Sequence, residues 1–474
     1  MRVLVLSHLY PAPGHERHLF VHQQVLSLRA AGVDVSVFSP TGYSPRLPLL
    51  SGARLRRRRA TPARAVRDGV AIDYPRVLVL PRRLLYDRSG DIFHATLARR
   101  VPALRAAGVE LIHAHQALPD GAAAARLARD LDVPYVVTVH GVDVYRHLRD
   151  GGRVADRTIE IVGGAAAVVG VSSSVTRRLA PYVAPERLFV NHNGTLGASD
   201  ARETAPVTDE ATGDAARTDD LTEAGGAGAV RSAGGLLAAA GVGPDEPVVL
   251  TAGYLIERKG HRVMLDALAR IVADRGAEAC PHWVVAGDGP LRGALLERAA
   301  QLGLAARVHL LGRLPHDDVL ALMERAVVFA LPSWDEAFGL VYTEAMMAGT
   351  PVIACRGEGP EDFVVDGLTG YLVPAHDAAA LATVIEGVLD DPAAARAAGT
   401  AGRKTAAALT WQRNADRQKR IYEWVLGRGP APDREDRDDG RDRTDGRGGT
   451  GHDTRTGDHG RHDDPGRTDE RTQA

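Results

Sequence analysis

Short apolar runs alternate with segments of helical spacing through residues 1–197. The runs occupy residues 3–6, 33–38, 111–114, 135–139 and 167–171, and each is predicted to be a strand. Residues 20–31 and the stretches "GAAAARLARDLDVP" and "SSSVTRRLAPYV" are predicted to be helices. Alternation of this kind predicts a parallel sheet with helices on both faces, which binds ligands at the carboxyl ends of its strands.

The pattern restarts after Pro247 with the strands "PVVLTAG", "HWVVAGDG", "RVHLLG", "VVFALPS" and "PVIAC". Helix-compatible segments such as "HRVMLDALARIVADRG" separate them. We therefore predict an α/β protein with two doubly wound, Rossmann-like domains, at residues 1–197 and 230–410. Residues 411–429 have helical spacing and are predicted to form a closing helix.

Two segments lack any periodicity. Residues 198–229 are rich in Ala, Thr, Asp, Glu and Gly, which is typical of a flexible linker or insertion. Residues 430–474 contain almost only Asp, Arg, Gly, Thr and His, so they have no large apolar side chain to bury. We expect this tail to be disordered.

Composition narrows the classes of protein and partner. A chain of 474 residues with 45% hydrophobic residues can fill the cores of two domains. A formal net charge of -2 gives no argument for a nucleic-acid partner. Cys280 and Cys355 are too few for a disulfide framework, which indicates a reducing compartment. With neither a signal peptide nor a run of about 18 apolar residues, we expect a cytoplasmic protein.

The run "ARLRRRRA" at residues 53–60 leaves one question of localisation open. Four consecutive arginines can contact anionic lipid, which would make the protein peripheral on the inner face of the membrane. A solvated loop is the alternative interpretation.

The stretch "PSWDEAFGLVYTEAMMAGTPVIA" carries two glutamates in an apolar setting. Its helix formers and its Gly-Thr-Pro stop predict a loop followed by a helix over residues 340–348. Glu344 would then have only apolar neighbours three and four residues away, so a protein group or a ligand hydroxyl must bind it. Glu336 lies before the helix, whose first amides favour an anion such as phosphate. Pairing of Glu344 with an internal arginine, and capping by Glu336, remain alternatives.

Several spaced motifs together resemble the retaining glycosyltransferases of the GT-B fold, those called family 4 or glycosyl transferase group 1. The most specific is the Glu-x7-Glu stretch quoted above, followed by "AMMAGTPVIA". Further motifs are "GYLIERKGHRVMLDAL", "VVAGDGPLRGALLERA", "VHLLGRLPHDDV", "DGLTGYLVPAHD", "VTVHGVDVY" and "NHNG". The resemblance implies two Rossmann-like domains facing a central cleft, with the closing helix crossing back to the first domain.

The resemblance also implies a donor site. Glu344 would bind the ribose diol and Glu336 the hydroxyls of the donor sugar, while Lys259 would neutralise the diphosphate with help from Arg258. The amides of Phe338, Gly339 and Leu340 would approach sugar and diphosphate. His140 resembles the histidine that faces the donor sugar at the reacting centre.

Some positions depart from the family pattern. Many members carry an arginine where this chain has Tyr254, so Arg258 or Arg313 would have to supply the second diphosphate cation. Gly14 resembles one glycine of the family's glycine-rich loop, although an ordinary strand-helix connection explains it equally well. His113 and His115 have the spacing to share one face of a strand, but no third metal ligand has suitable spacing.

The expected activity is transfer of a hexosyl unit from a UDP-, GDP- or ADP-sugar to a glycan, a lipid or a small molecule, without metal or cofactor. The resemblance implies retention, with the donor's own phosphate oxygen accepting the acceptor proton. A nucleotide-sugar epimerase of the same architecture and a non-catalytic binding subunit are the alternatives. A nicotinamide-dependent oxidoreductase is disfavoured because "GDGPLRG" is not Gly-x-Gly-x-x-Gly.

Overall fold

The computed structural model describes residues 1–12, 19–43, 61–79, 84–195 and 231–434. The predictions for Gly14, for the arginine run at 53–60 and for the linker at 198–229 concern residues outside these ranges, as does most of the predicted tail.

The first half of the chain builds one large sheet. Eight of its strands are hydrogen-bonded in the order β10-β9-β8-β7-β1-β2-β5-β4, and β3 pairs with β6. All neighbours in the large sheet run parallel except β4 and β5. The strands are β1 Arg2–Leu6, β2 Asp34–Phe38, β3 Thr41–Gly42, β4 Arg64–Arg67, β5 Val70–Asp73, β6 Arg76–Val77, β7 Leu111–His115, β8 Tyr135–Val139, β9 Ala167–Gly170 and β10 Leu188–Val190.

Helices cover both faces of this sheet because its central strands are apolar on both sides. In β1, Val3 and Val5 join a core cluster with α1, whereas Leu4 and Leu6 join a second cluster with α2 and α4. The helices are α1 Leu19–Ala30, α2 Ser89–Leu97, α3 Val101–Ala106, α4 Ala122–Leu131, α5 Gly152–Gly164 and α6 Ser173–Leu179.

The second half forms an all-parallel sheet of six strands in the order β13-β12-β11-β14-β15-β16. Its strands are β11 Val248–Ala252, β12 His282–Ala286, β13 Val308–Gly312, β14 Val328–Ala330, β15 Val352–Cys355 and β16 Tyr371–Val373. Its helices are α7 Ala233–Ala239, α8 His261–Arg275, α9 Arg292–Gln301, α10 His316–Arg325, α11 Leu340–Met347, α12 Ala378–Asp390 and α13 Pro392–Ala408.

The last helix, α14 (Trp411–Val425), packs on the first sheet. Thr410 caps it by accepting a hydrogen bond from the amide of Arg413. Its Tyr422 hydroxyl is 2.6 Å from Nδ1 of His113, and the side chain of Gln24 donates to Asn414 at 2.7 Å. The chain therefore returns from the second sheet to the first.

The α/β class and the two doubly wound sheets, one parallel except at its β4–β5 edge and the other all-parallel, confirm the prediction of fold class. The antiparallel edge and the β3–β6 pair were not predicted, because these strands are only two to four residues long. Cys280 and Cys355 are both buried and free. None of the helices in the described ranges is long and apolar enough to cross a membrane.

Candidate functional site

A cleft lies where the carboxyl ends of the strands of both sheets meet, and its empty volume is about 1270 Å³, open solvent included. On one side its lining follows strands of the first sheet, and on the other it follows strands of the second. Parallel strands bring their carboxyl ends to one edge, so loops distant in the sequence converge here. From the first half come Leu9, Phe20, Gln116, His140, Val171 and Asn193, and from the second Tyr254, Lys259, Asp288, Arg313, His316, Glu336, Phe338, Gly339, Leu340 and Glu344 among others.

Helix α11 forms part of the cleft floor. It begins after Gly339, which has a φ of 83°. A Cβ at Gly339 would lie 2.5 Å from the Tyr342 ring, so the tight turn into the helix requires glycine. The helix spans Leu340–Met347, within one residue of the predicted end.

Glu344, on this helix, is only 7% exposed and lines the cleft. No hydrogen bond or ion pair to its carboxylate exists among the residues that the structure describes. Burial raises the pKa of Glu344 to about 8, because the apolar surroundings disfavour the charged form. Among the described residues, no arginine pairs with Glu344, in contrast to the alternative interpretation. This carboxyl group is available to a ligand.

Lys259 and Glu336 form a buried ion pair, with 2.8 Å between Nζ and Oε2. Gly260, with a φ of 71°, lets the turn at Lys259 pack closely against the loop that contains Pro332 and Glu336. A Cβ at Gly260 would lie 2.1 Å from the Pro332 carbonyl oxygen. The Ser333 hydroxyl also donates to the Glu336 carboxylate, at 3.1 Å. The ammonium and the carboxylate thus neutralise each other at the cleft wall, and each gives the other the partner that a buried charge requires.

His140 follows β8 and lies at the end of a row of histidines. Its Nε2 is 2.9 Å from Nδ1 of His115, and the planes of the two rings are nearly parallel, with an interplanar angle of 6°. The rings of His113 and His115 lie side by side, 4.4 Å apart between centroids. Burial lowers the pKa of His113 to about 3 and that of His115 well below its usual range, which keeps both neutral. His140 therefore meets the cleft with a neutral histidine behind it.

Two arginines differ in their relation to the cleft. Arg313 lines it, and no hydrogen bond or ion pair to its guanidinium occurs within the described ranges. Arg258 does not line the cleft, and its Nη1 lies 3.5 Å from the Asp335 carbonyl oxygen. Arg313 is thus the better placed of the two cations that the sequence proposed for the site.

The structure brings most of the predicted site residues together: His140, Lys259, Glu336, Phe338, Gly339, Leu340 and Glu344 all line the cleft. Arg258 lies beside it, and Gly14 is outside the described residues. The sequence did not single out Gln116, Asn193, Asp288 or His316, which also line it. Their shared signal is position, since each stands within a few residues of the carboxyl end of a strand.

Family profiles match both halves of the chain. Residues 14–195 match the family described as Glycosyltransferase Family 4, and residues 238–405 match Glycosyl transferases group 1. A D-inositol 3-phosphate glycosyltransferase of Corynebacterium diphtheriae is 36% identical over 180 residues, which is 37% of this chain and 42% of that protein. The chain thus matches less than half the length of that relative.

Other similarities extend over most of the chain. A D-inositol 3-phosphate glycosyltransferase of Catenulispora acidiphila is 28% identical over 87% of this chain and 92% of its own length. Glycogen synthase of Mycobacterium tuberculosis is 29% identical over 89% and 94%. Among solved structures, sucrose-phosphate synthase of Thermosynechococcus elongatus superposes with a TM-score of 0.62 at 24% identity, covering 90% of this chain and all of that one. This likeness shows that the fold is the GT-B fold.

Proposed function

Since the chain belongs to the family 4, group 1 glycosyltransferases, we propose that it transfers a hexosyl unit from a nucleotide-diphospho-sugar, UDP- or GDP-linked, to a glycan, lipid or small-molecule acceptor, with retention and without metal. The observation that carries the proposal is the Glu344 carboxyl group, which is buried in the cleft without a partner among the described residues. A ribose diol offers two adjacent hydroxyl groups, and the carboxyl group of Glu344 can accept hydrogen bonds from them.

The second half would hold the donor. Glu344 binds the ribose, and the amides at the start of α11, with Arg313, receive the diphosphate. The Lys259–Glu336 pair contributes its ammonium toward the departing phosphate and its carboxylate toward hydroxyls of the sugar. Because these dipoles and charges are set before reaction, they stabilise the charge that develops on the leaving group.

The reaction breaks the bond between the anomeric carbon and the diphosphate oxygen, and it forms a bond from that carbon to the acceptor oxygen on the same face. The acceptor proton moves to a phosphate oxygen of the departing nucleoside diphosphate. His140 lies on the opposite wall and faces the sugar at the reacting centre. The first half, with Leu9, Phe20 and Asn193, would then seat the acceptor.

The names of the relatives support the class of donor but do not specify the acceptor. The glycosyltransferases that match along most of the chain are named for different acceptors, an inositol phosphate in one case and glycogen in another. A structure of similar fold, Alr3699/HepE of Anabaena, is a complex with UDP. These names support a nucleotide-sugar donor, and the acceptor stays general in our proposal.

A nucleotide-release assay tests the proposal. UDP-, GDP- and ADP-sugars are supplied with and without acceptor panels of glycans, glycolipids and polyols, with EDTA in a parallel series. We expect release with one donor to require an acceptor and to persist in EDTA, while Glu344→Gln loses most of it and the exposed Glu324→Gln does not. Isomerised donor without transfer would instead identify an epimerase.

A further inference from the structure

The loop that carries Glu336 is held from both halves of the chain. Tyr145 belongs to the short π-helix Asp143–Leu148, which follows His140. Its hydroxyl lies 3.2 Å from the Glu336 carbonyl oxygen and 3.3 Å from Oε2 of Glu358. That same Oε2 accepts the Glu336 amide at 2.9 Å, and the Gly359 amide donates to the Glu336 carbonyl at 2.8 Å. Both backbone groups of Glu336 are therefore bound.

These contacts are buried and charge-assisted. Tyr145 and Glu358 are each 7% exposed, so water does not compete freely for their hydrogen bonds. The phenol has one proton, and two acceptors in the second half share it, one of them a carboxylate. Ser174, whose hydroxyl is 3.0 Å from the phenol oxygen, can donate to that oxygen. The tyrosine thus directs its own proton to the second half of the chain.

Arg178 completes the cluster from the first half. Its guanidinium lies over the Tyr145 ring, 4.7 Å from the centroid, and its Nη2 is 3.7 Å from Oε1 of Glu358. Close by, a Cβ added to Gly141 would lie 2.8 Å from that of Ala337, the residue after Glu336. The loop after β8 and the Glu336 loop are therefore in direct contact, next to two proposed site residues.

We propose that Tyr145 and Glu358 are positioning residues for Glu336. Glu358 binds the Glu336 amide from within the second half, and Tyr145 adds its bonds to the Glu336 carbonyl and to Glu358 only when the two halves meet at this point. The backbone of the Glu336 loop is therefore fully held, with its carboxylate toward the donor sugar, in that arrangement. The inference rests on the function proposed above and deepens it. It assigns to the first half a share in binding the sugar, although no side chain of that half needs to touch it through this route.

Isothermal titration calorimetry separates this role from a structural one. UDP and UDP-glucose, and GDP and GDP-mannose, are titrated, and the pair that binds is kept. In Tyr145→Phe we expect the affinity for the nucleoside diphosphate to stay within about twofold, while the additional affinity given by the sugar falls roughly tenfold, as for a lost charge-assisted hydrogen bond. Turnover should fall with it.

Tyr135→Phe is the matched control, because that hydroxyl donates to the Ile161 carbonyl at 2.8 Å entirely within the first half. Both affinities should be unchanged in it. Glu358→Gln keeps an oxygen acceptor and should retain more of the sugar's contribution than Glu358→Ala. In the double variant Tyr145→Phe, Glu358→Ala the losses should not add, since both act through Glu336.

The outcomes distinguish the two proposals. If a nucleoside diphosphate binds and Tyr145→Phe leaves the sugar's contribution intact, the positioning role is rejected and the proposed function stands. A parallel loss of nucleoside diphosphate affinity would also reject it, since the residue would then support the whole pocket. If no nucleotide or nucleotide sugar binds the unmodified chain, both proposals fail.

Discussion

The two walls of the cleft differ in charge. Among the described residues, the wall from the second half carries every carboxyl, ammonium and guanidinium group of the lining, on Lys259, Asp288, Arg313, Glu336 and Glu344. The wall from the first half is lined by Leu9, Phe20, Gln116, His140, Val171 and Asn193, which are apolar, amide or imidazole groups. The difference suggests that one wall is built for a charged ligand and the other for shape and neutral hydrogen bonds.

The largest effect should come from the charged wall, at Lys259. Lys259→Ala leaves Glu336 buried without its cation, so we expect a loss of roughly 3–5 kcal/mol in the free energy of unfolding together with loss of activity. Urea unfolding and nucleotide release measure the two. The double variant Lys259→Met, Glu336→Gln should recover most of the stability and none of the activity. Recovered activity would show that the pair is only structural.

Arg313 should come next. Its replacement by Ala removes a cation from the diphosphate region, and the donor KM should rise roughly 10- to 100-fold, as for hydrogen bonds to charged groups. Arg258→Ala is the matched comparison and should change KM less than about threefold, because that side chain lies outside the cleft lining. The reverse order of effects would assign the second diphosphate cation to Arg258.

Glu344 should show opposite effects on binding and stability. Its pKa rises from the usual 4.5 to about 8 on folding. Between these two pH values the folded chain therefore binds more protons than the unfolded chain. The free energy of unfolding falls as the pH rises through this range. The Glu344→Gln variant has no such titration, so its stability relative to the unmodified protein should increase from pH 5 to pH 8 in urea unfolding. Its affinity for the nucleotide should be about tenfold lower.

A neutral Glu344 also predicts a proton effect on binding. If the ribose hydroxyls bind the ionised carboxylate, nucleotide binding at pH 7 releases a proton. Calorimetry in two buffers with different ionisation enthalpies would detect the release, and Glu344→Gln should abolish it. Equal enthalpies in both buffers for the unmodified chain would contradict the assignment of this carboxylate to the ribose.

The smallest effect on the donor should come from the neutral wall. Phe20→Leu and Asn193→Ala should leave donor affinity within about twofold and change the acceptor KM by less than about tenfold. Donor calorimetry and acceptor titrations measure these values. A loss of donor affinity as large as that of Arg313→Ala would remove the distinction between the walls.

The sequence predicted the parts of the fold that depend on local pattern. The central strands are continuous apolar runs, and α11 begins and ends at Gly339 and near Gly349, where glycine is needed. The apolar environment of Glu344 followed from helical spacing alone. These features depend on neighbours within a few residues, and such neighbours are visible in any sequence.

Other features depend on how distant loops meet. The Lys259–Glu336 pair joins residues 77 positions apart, and the contact between Tyr145 and Glu358 spans 213. Whether Arg258 or Arg313 faces the cleft is decided by the orientation of two separate turns. Side-chain directions at loop ends follow from tertiary packing, so no spacing rule distinguishes these arginines.

The return of α14 to the first sheet has a practical consequence for dividing the protein. A fragment that stops at residue 195 would expose Gln24 and His113, which the final helix covers, together with the apolar surface around them. The smallest self-sufficient piece containing the first sheet is thus discontinuous along the chain. Separate expression of the two halves should succeed only if residues 411–425 are included in the amino-terminal half.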